Sequence, residues 1–368
     1  MEQAREFERL YFNSDEFFSD LLESITHARN SIDIETYIYE NDEFGAEVDR
    51  ILQAAVQRGV HVRILVDGFG ARAWVGQKAP DLFKNGVQIR VWRPVIFSKF
   101  NWKFLNRLNR RKHRKYCVID KNMAYVGSQN ISKVHLQRFS GEKAWRDSGI
   151  AIQGAGVDDL NRTFDEVWYL SHRLNEMTGK VRLRTPRAFA QNLINLTTQF
   201  SLRRPKHESI IRIQGAENRI LITNAYFAPP QRLLGALLKA RSRGVAICLL
   251  LPSAPDLLVM KWIATSYYDI LLKNGIQLFE YKQSFLHAKT MIVDDWGIVG
   301  SSNFNTRSFR RDMELDIVLS SSDLRQELTM QFAEDLKYAR EIRLEDLAFL
   351  TISRWLGRIF AHVLRWGL

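Results

Sequence analysis

Apolar positions along this chain follow two alternating periods, and the alternation occurs twice. Ile32–Ile38 and Val60–Val66 are short runs rich in β-branched residues and read as strands. Between them Val48, Leu52, Ala55 and Val56 recur at helical spacing, which predicts an amphipathic helix over 45–58. Gly59 and Gly244 fit helix C-terminal stops. Val245–Leu251, bounded by Gly244 and Pro252, reads as a buried strand. Leu324, Leu328, Phe332 and Leu336 predict a closing helix over 322–340. Strands alternating with helices indicate an α/β fold, with a sheet in each half and sites at the open strand ends.

The pattern is a duplication. "NSIDIETYIY" (30–39) resembles "NRILITNAYF" (218–227), and "AVQRGVHVRILVDG" (55–68) resembles "ARSRGVAICLLLPS" (240–253). "KNGVQIRVW" (84–92) resembles "KNGIQLFEY" (273–281), and "HRKYCVIDKNMAYVGSQN" (113–130) resembles "HAKTMIVDDWGIVGSSN" (287–303). The order is the same in both halves, and the period is too long for a solenoid. The boundaries this predicts are a first half over 1–177, a basic connection over 178–207, a second half over 208–342 and a C-terminal helix over 343–368.

The chemistry lies in the repeated hairpin. The first copy is His113-x-Lys115-x4-Asp120, then Gly127-Ser128-x-Asn130; the second is His287-x-Lys289-x4-Asp294, then Gly300-Ser301-x-Asn303. Residues two apart on a strand share a face, so each His and Lys can grip one phosphate. Lys supplies charge to the non-bridging oxygens. His can attack phosphorus or protonate the leaving oxygen. Asp can orient an imidazole, and Ser128, Asn130, Ser301 and Asn303 can donate further hydrogen bonds to the phosphate. One copy alone would read as surface decoration and a turn-forming Asp; two matched copies point to function. The first copy has one more residue between Asp and Gly, which the turn is expected to absorb. Glu35 and Asn224 match between the halves. Glu35 can bond a catalytic His or a headgroup, or serve structure. Asp67 reads as a turn former. Trp145-Arg146-Asp147 and Glu314 are candidates for support of the site or for packing and ion pairing.

The duplicated motif is similar to the signature of the phospholipase D superfamily, and the likeness covers nearly the whole chain. Within it the chain most resembles bacterial cardiolipin synthases of the short type without N-terminal membrane spans, through "ETYIYENDEFG", "RRKHRKYCVID", "AWRDSGIAIQG", "FEYKQSFLHAKTMIVDD" and "VGSSNFNTRSF". The resemblance implies a pseudo-dimer of two phospholipase D-like halves with one active site at their interface. It implies a phosphohistidine intermediate and no metal or cofactor. It also implies His113 as nucleophile and His287 as acid and base, a choice on which the sequence itself is symmetric.

Composition adds a partner. At 46 % hydrophobic and 26 % charged residues over 368 positions, the chain can fill a core, which excludes a disordered or low-complexity protein. The length fits two domains. Cys117 and Cys248 lie in apolar runs and read as buried thiols. The 53 Lys+Arg against 41 Asp+Glu leave +12, which calls for nucleic acid or an anionic membrane surface. From Leu82 to Ile119 there is no Asp or Glu, and Phe100, Trp102 and Phe104 interleave with the cations. That mixture suits anionic lipid, single-stranded nucleic acid or a solvated loop. Met177 to His207 is also free of acids. At the C-terminus Trp355 and Phe360 fall on an apolar stripe with Arg354, Arg358 and Arg365 opposite, and Trp366 follows; this reads as a membrane-surface helix or a helix docked on the core. No stretch has the ~18 uncharged apolar residues of a membrane span, and the N-terminus lacks a signal-peptide core. Any membrane contact is therefore expected to be peripheral and from the cytosol; the resemblance implies the cytoplasmic face of a bacterial membrane, phosphatidylglycerol as partner, and phosphatidyl transfer between two phosphatidylglycerols as the activity. Hydrolysis by the same chemistry is the alternative, with a nuclease or a membrane binder carrying a relict site behind it.

Overall fold

The computed structural model describes residues 7–94, 111–173, 193–194 and 208–348. The first half contributes β1 (Phe7–Tyr11), β2 (Ser31–Thr36), β3 (His61–Asp67), β4 (Gln88–Trp92), β5 (Tyr116–Ile119), β6 (Met123–Gly127), β7 (Gly149–Gln153) and β8 (His172–Arg173). The second contributes β9 (Leu193–Ile194), β10 (Arg219–Asn224), β11 (Ala246–Pro252), β12 (Gln277–Tyr281), β13 (Lys289–Val293), β14 (Trp296–Gly300), β15 (Asp316–Val318) and β16 (Ala339–Glu341). The strand orders, β1-β7-β6-β5-β2-β3-β4-β8 and β9-β15-β14-β13-β10-β11-β12-β16, correspond strand for strand. In each sheet β2-β3-β4 or β10-β11-β12 run parallel and the hairpin strands run antiparallel to them.

The elements follow the hydrophobic pattern, with local chemistry setting their ends. The predicted helix over 45–58 begins earlier, as Glu43–Gln57, because the Asp42 side chain accepts the Gly45 N–H at 2.8 Å. It buries Phe44, Val48, Leu52 and Ala55. The first strand ends at Thr36, short of Ile38, where the Thr36 hydroxyl donates to the Ile38 carbonyl at 2.9 Å. Gly59 and Gly244, at φ 88° and 97°, end their helices in the left-handed region that lacks a Cβ penalty. The helix Ser322–Lys337 buries Leu324, Leu328 and Phe332.

The halves meet over one apolar core. Val126, Ile150 and Ile152 of the first sheet pack with Val299, Leu315 and Ile317 of the second. Cys117 and Cys248 are buried and free.

The repeated Asp residues do not orient imidazoles. Asp120 lies at the far end of β5 from Lys115, about 16 Å along the strand. Its carboxylate accepts the N–H groups of Arg29, Asn30 and Ser31 at 2.7–2.9 Å, which pins the start of β2. Asp294 does the same for Glu217, Asn218 and Arg219 at 2.8–2.9 Å. Both have φ 50°, which Asp tolerates better than most residues. Burial would raise both carboxyls, but the three N–H donors hold them below the usual range. The length difference between the copies is absorbed here: Asp120–Asn122 joins β5 to β6, and Asp294–Asp295 joins β13 to β14. Asp120→Ala and Asp294→Ala are expected to lower Tm while the folded fraction keeps its chemical step. Loss of turnover at unchanged Tm would return these residues to the reaction centre.

Candidate active site

The segment before β5 leaves its own sheet and crosses to the other half. Lys112 bridges Met313, with His113 N–H donating to Met313 O and Met313 N–H to Arg111 O, both at 2.9 Å. The second half answers in kind. Arg146 bridges Leu286; Arg146 N–H donates to Phe285 O at 2.9 Å and His287 N–H to Arg146 O at 2.8 Å. Each histidine is thus fixed through its backbone beside Glu314 or Asp147 of the opposite half.

The side chains complete the exchange. His113 Nδ1 lies 2.9 Å from Glu314 Oε2, and His287 Nδ1 lies 2.6 Å from Asp147 Oδ1. A carboxylate only accepts, so each Nδ1 carries the hydrogen and each Nε2 is left for chemistry. Ser128 donates to Asp147 at 2.7 Å, and Ser301 donates to Glu314 at 2.7 Å. The two serines therefore hold the carboxylates that orient the histidines and do not donate to an open phosphate position. Ser308 donates to the other Glu314 oxygen at 2.6 Å. Burial would raise these carboxyls, yet the neighbouring imidazoles outweigh it: Glu314 is lowered to about 2, and Asp147 is held well below the usual range.

Lys115 donates to the His113 carbonyl at 2.6 Å, and Lys289 donates to the His287 carbonyl. Burial drives Lys115 down to about 7 and Lys289 well below its ordinary value. Burial likewise lowers both histidines. Burial thus disfavours the charged forms of these four groups, and an anion among them would favour the charged forms again.

The remaining candidates divide. Asn130 and Asn303 line the cleft between the histidines. Asn130 Oδ1 accepts the Ile38 N–H at 3.2 Å, whereas buried Asn303 Oδ1 has no hydrogen-bond partner among the described residues. Asn303 is thus the better placed of the two for a ligand. Glu35 reaches no histidine. It is fully buried against Lys112 at 2.7 Å, Arg114 at 2.8 Å and the Tyr116 hydroxyl at 3.0 Å. This is a structural ion cluster that anchors the residues flanking His113. Asp67 accepts the Phe69 N–H at 2.8 Å in a turn and also the Lys112 N–H at 3.1 Å. Phe100, Trp102, Phe104, Trp355, Phe360 and Trp366 lie outside the described residues.

The cleft holds about 500 Å³. Leu257, Val259, Met260, Ile263 and Tyr267 form one wall; Arg111, Arg307, Arg310 and Arg311 form a cationic side. Leu257 and Leu258 on its lip are exposed. Sequence reasoning missed His135 and Ser308, although each stands five residues after the Asn of its Gly-Ser-x-Asn; their unlike residue types hid the shared spacing. His135 Nδ1 lies 2.6 Å from Asp147 Oδ2, so His135, Asp147 and His287 bring donor atoms close together. Two ligands of one tetrahedral zinc would stand roughly 3.3 Å apart. The 2.6 Å separations are those of direct charge-assisted hydrogen bonds.

Fold and site define a duplicated α/β protein with one paired-histidine centre between its halves. The profile of the family described as "Cardiolipin synthase, PLD-like domain" matches residues 21–168 and 210–336. The chain is 33 % identical over 350 residues to a cardiolipin synthase of Geobacillus sp. (strain WCH70), covering 92 % of this chain and 67 % of that protein. It is 30 % identical over 359 residues to a cardiolipin synthase of Clostridium perfringens (strain SM101), covering 95 % and 74 %. In structure it is similar to a phosphatidylserine synthase of Haemophilus influenzae, with TM-score 0.72, 14 % identity and coverage of 97 % and 93 %. A polyphosphate kinase of Porphyromonas gingivalis shares the fold at TM-score 0.63 and 16 % identity, covering 93 % and 50 %. The chain belongs to the phospholipase D-like family of cardiolipin synthases and is an enzyme of phosphatidyltransferase type.

Asp147→Asn and Glu314→Gln remove the acceptor that fixes an imidazole tautomer. Each is expected to lower turnover of phospholipid by about 10²–10⁴ with the fold retained. Circular dichroism and rate together check this; wild-type turnover in either variant would contradict the assignment. Glu35→Ala strands two buried cations and is expected to cost about 3–5 kcal/mol in urea unfolding. A cost below about 1 kcal/mol, as for an exposed pair, would contradict the buried cluster.

Proposed function

We propose that the chain is a cardiolipin synthase that joins two phosphatidylglycerols and releases glycerol. The observation that carries the reading is the pair of crosswise-held imidazoles facing one cleft with an apolar wall and a cationic side. His113 Nε2 attacks the phosphorus of the first phosphatidylglycerol. The bond from phosphorus to the glycerol oxygen breaks, and His287 gives that oxygen its proton. A hydroxyl of the second phosphatidylglycerol then loses its proton to His287 and attacks phosphorus, which releases His113. Lys115 and Lys289 hold the non-bridging oxygens. The assignment of His113 as nucleophile is supported by its greater exposure, 14 % of the side chain against 4 % for His287.

The apolar lip at Leu257 and Leu258 supports acyl chains entering from a bilayer. Among the described residues no helix is long and apolar enough to cross a membrane, and the +12 charge supports a peripheral seat on anionic lipid. The basic-aromatic segment around Phe100, Trp102 and Phe104 and the C-terminal stripe with Trp355, Phe360 and Trp366 belong to this proposed surface.

The test uses phosphatidylglycerol vesicles labelled at phosphorus, in the presence of a chelator. Cardiolipin and glycerol are the expected products. Phosphatidic acid alone would make the protein a hydrolase, and DNA cleavage without lipid turnover would sink both readings. In the same assay, quenched protein is expected to carry label on His113. Trapping that survives His113→Ala but not His287→Ala would reverse the roles.

A further inference from the structure

His287 and His113 are equivalent in the repeat, yet their carboxylates are not held alike. Asp147 accepts three donors: Ser128 Oγ and His287 Nδ1 on Oδ1, and His135 Nδ1 on Oδ2. Glu314 also accepts three, but the place of His135 is taken by the hydroxyl of Ser308. His135 is buried in the 3₁₀ turn Lys133–His135. Its Nε2 accepts the backbone N–H of Asn130 at 3.2 Å. That bond fixes the tautomer: with Nε2 an acceptor, Nδ1 carries the hydrogen and donates to Asp147. His135 thus ties the Gly-Ser-x-Asn loop of the first half to the carboxylate that serves the histidine of the second.

We infer that His135 is a positioning residue for His287, acting through Asp147 to fix its tautomer and temper its basicity. Asp147 divides its charge between two imidazoles. A donor on Oδ2 weakens the stabilisation that the carboxylate gives a charged His287 through Nδ1–H, so the imidazolium releases its Nε2 proton more readily to a departing oxygen. Among the described residues, the hydroxyl of Ser308 and not an imidazole stands behind the carboxylate of His113. The device therefore biases the two equivalent histidines toward different roles, with the proton donor on the side of His287. Burial lowers His287 in the same direction, as do Lys289 and His135. The other groups facing His287 are Asp147 and Tyr226, whose ring lies 6.3 Å away. Behind His135, a polar cleft carries Arg9, Glu16, Glu142, Arg146 and Glu327. None of these is altered in the test.

The full chain, labelled with ¹⁵N-histidine, is titrated by NMR as wild type, His135→Ala, His135→Asn and His135→Gln. This readout does not depend on the substrate proposed above. Asn places an amide donor where Nδ1 stood, and Gln places an acceptor where Nε2 stood. In His135→Ala the His287 titration is expected to rise by about one unit, the worth of a charge-assisted hydrogen bond. His135→Asn is expected to restore it, and His135→Gln is not. With an active preparation, the alkaline limb of kcat/KM follows the same order, because the first step needs protonated His287. An unchanged His287 titration in a folded His135→Ala variant would overturn the inference, as would equal behaviour of Asn and Gln. Absence of lipid turnover in the wild type would instead count against the cardiolipin synthase reading and leave the titration result standing.

Discussion

Two short backbone bridges between the halves carry the rest of the site. Lys112 pairs with Met313 and Arg146 with Leu286, and each bridge ends one residue from a carboxylate. Because a bridge fixes both chains at hydrogen-bond distance, the next side chains are placed together without search. His113 therefore meets Glu314, and His287 meets Asp147. Neither half can orient its own histidine. The centre exists only when both sheets are folded and packed over their shared core.

The same geometry explains the charge. The buried Lys115, Lys289 and His287 and the partly exposed His113 surround a space with no anion at its middle among the described residues. The carboxylates sit behind the imidazoles and hold them as Nδ1–H donors. Burial depresses Lys115 and Lys289, and an anion placed between them would raise both again. Further out, Glu35 absorbs the charge of Lys112 and Arg114, so these flanking cations stabilise the approach of the chain to His113 and do not compete for the substrate. Of the basic stretch before the motif, the described part is thus spent largely inside the fold.

Much of this was legible in the chain. The duplication predicts two equivalent sheets, residues two apart on a strand put each His and Lys on one face, and the resemblance to the phospholipase D superfamily implies that the two pairs share one centre. The β-branched runs and the 3.6-residue spacing of Val48, Leu52 and Ala55 locate strands and helix to within a few positions. The roles around the histidines were less legible. Asp120 and Asp294 repeat as faithfully as the histidines, but a repeat records structural needs as well as chemical ones, and theirs is to bind three N–H groups at the start of a strand. Asp147 and Glu314 stand at unequal distances from the histidines of their own halves, and their partners lie in the opposite half. That contact is made by sheet packing, which periodicity does not encode. His135 and Ser308 each stand five residues after the Asn of Gly-Ser-x-Asn, but as unlike residue types they hide that equivalence. The expected match of Glu35 with Asn224 fails by one residue: Glu35 pairs with Tyr116 as Thr223 pairs with Thr290, so Thr36 is the counterpart of Asn224, and the fully buried partners of Glu35, Lys112 and Arg114, belong to the first half alone.

The crosswise clasp is tested most directly by double-mutant cycles in equilibrium unfolding. His113→Ala and His287→Ala are each combined with Asp147→Asn and with Glu314→Gln. The pairs His113/Glu314 and His287/Asp147 are predicted to couple by about 0.5–3 kcal/mol, and the two same-half pairs to add within about 0.5 kcal/mol. Coupling confined to His113/Asp147 and His287/Glu314 would contradict the account.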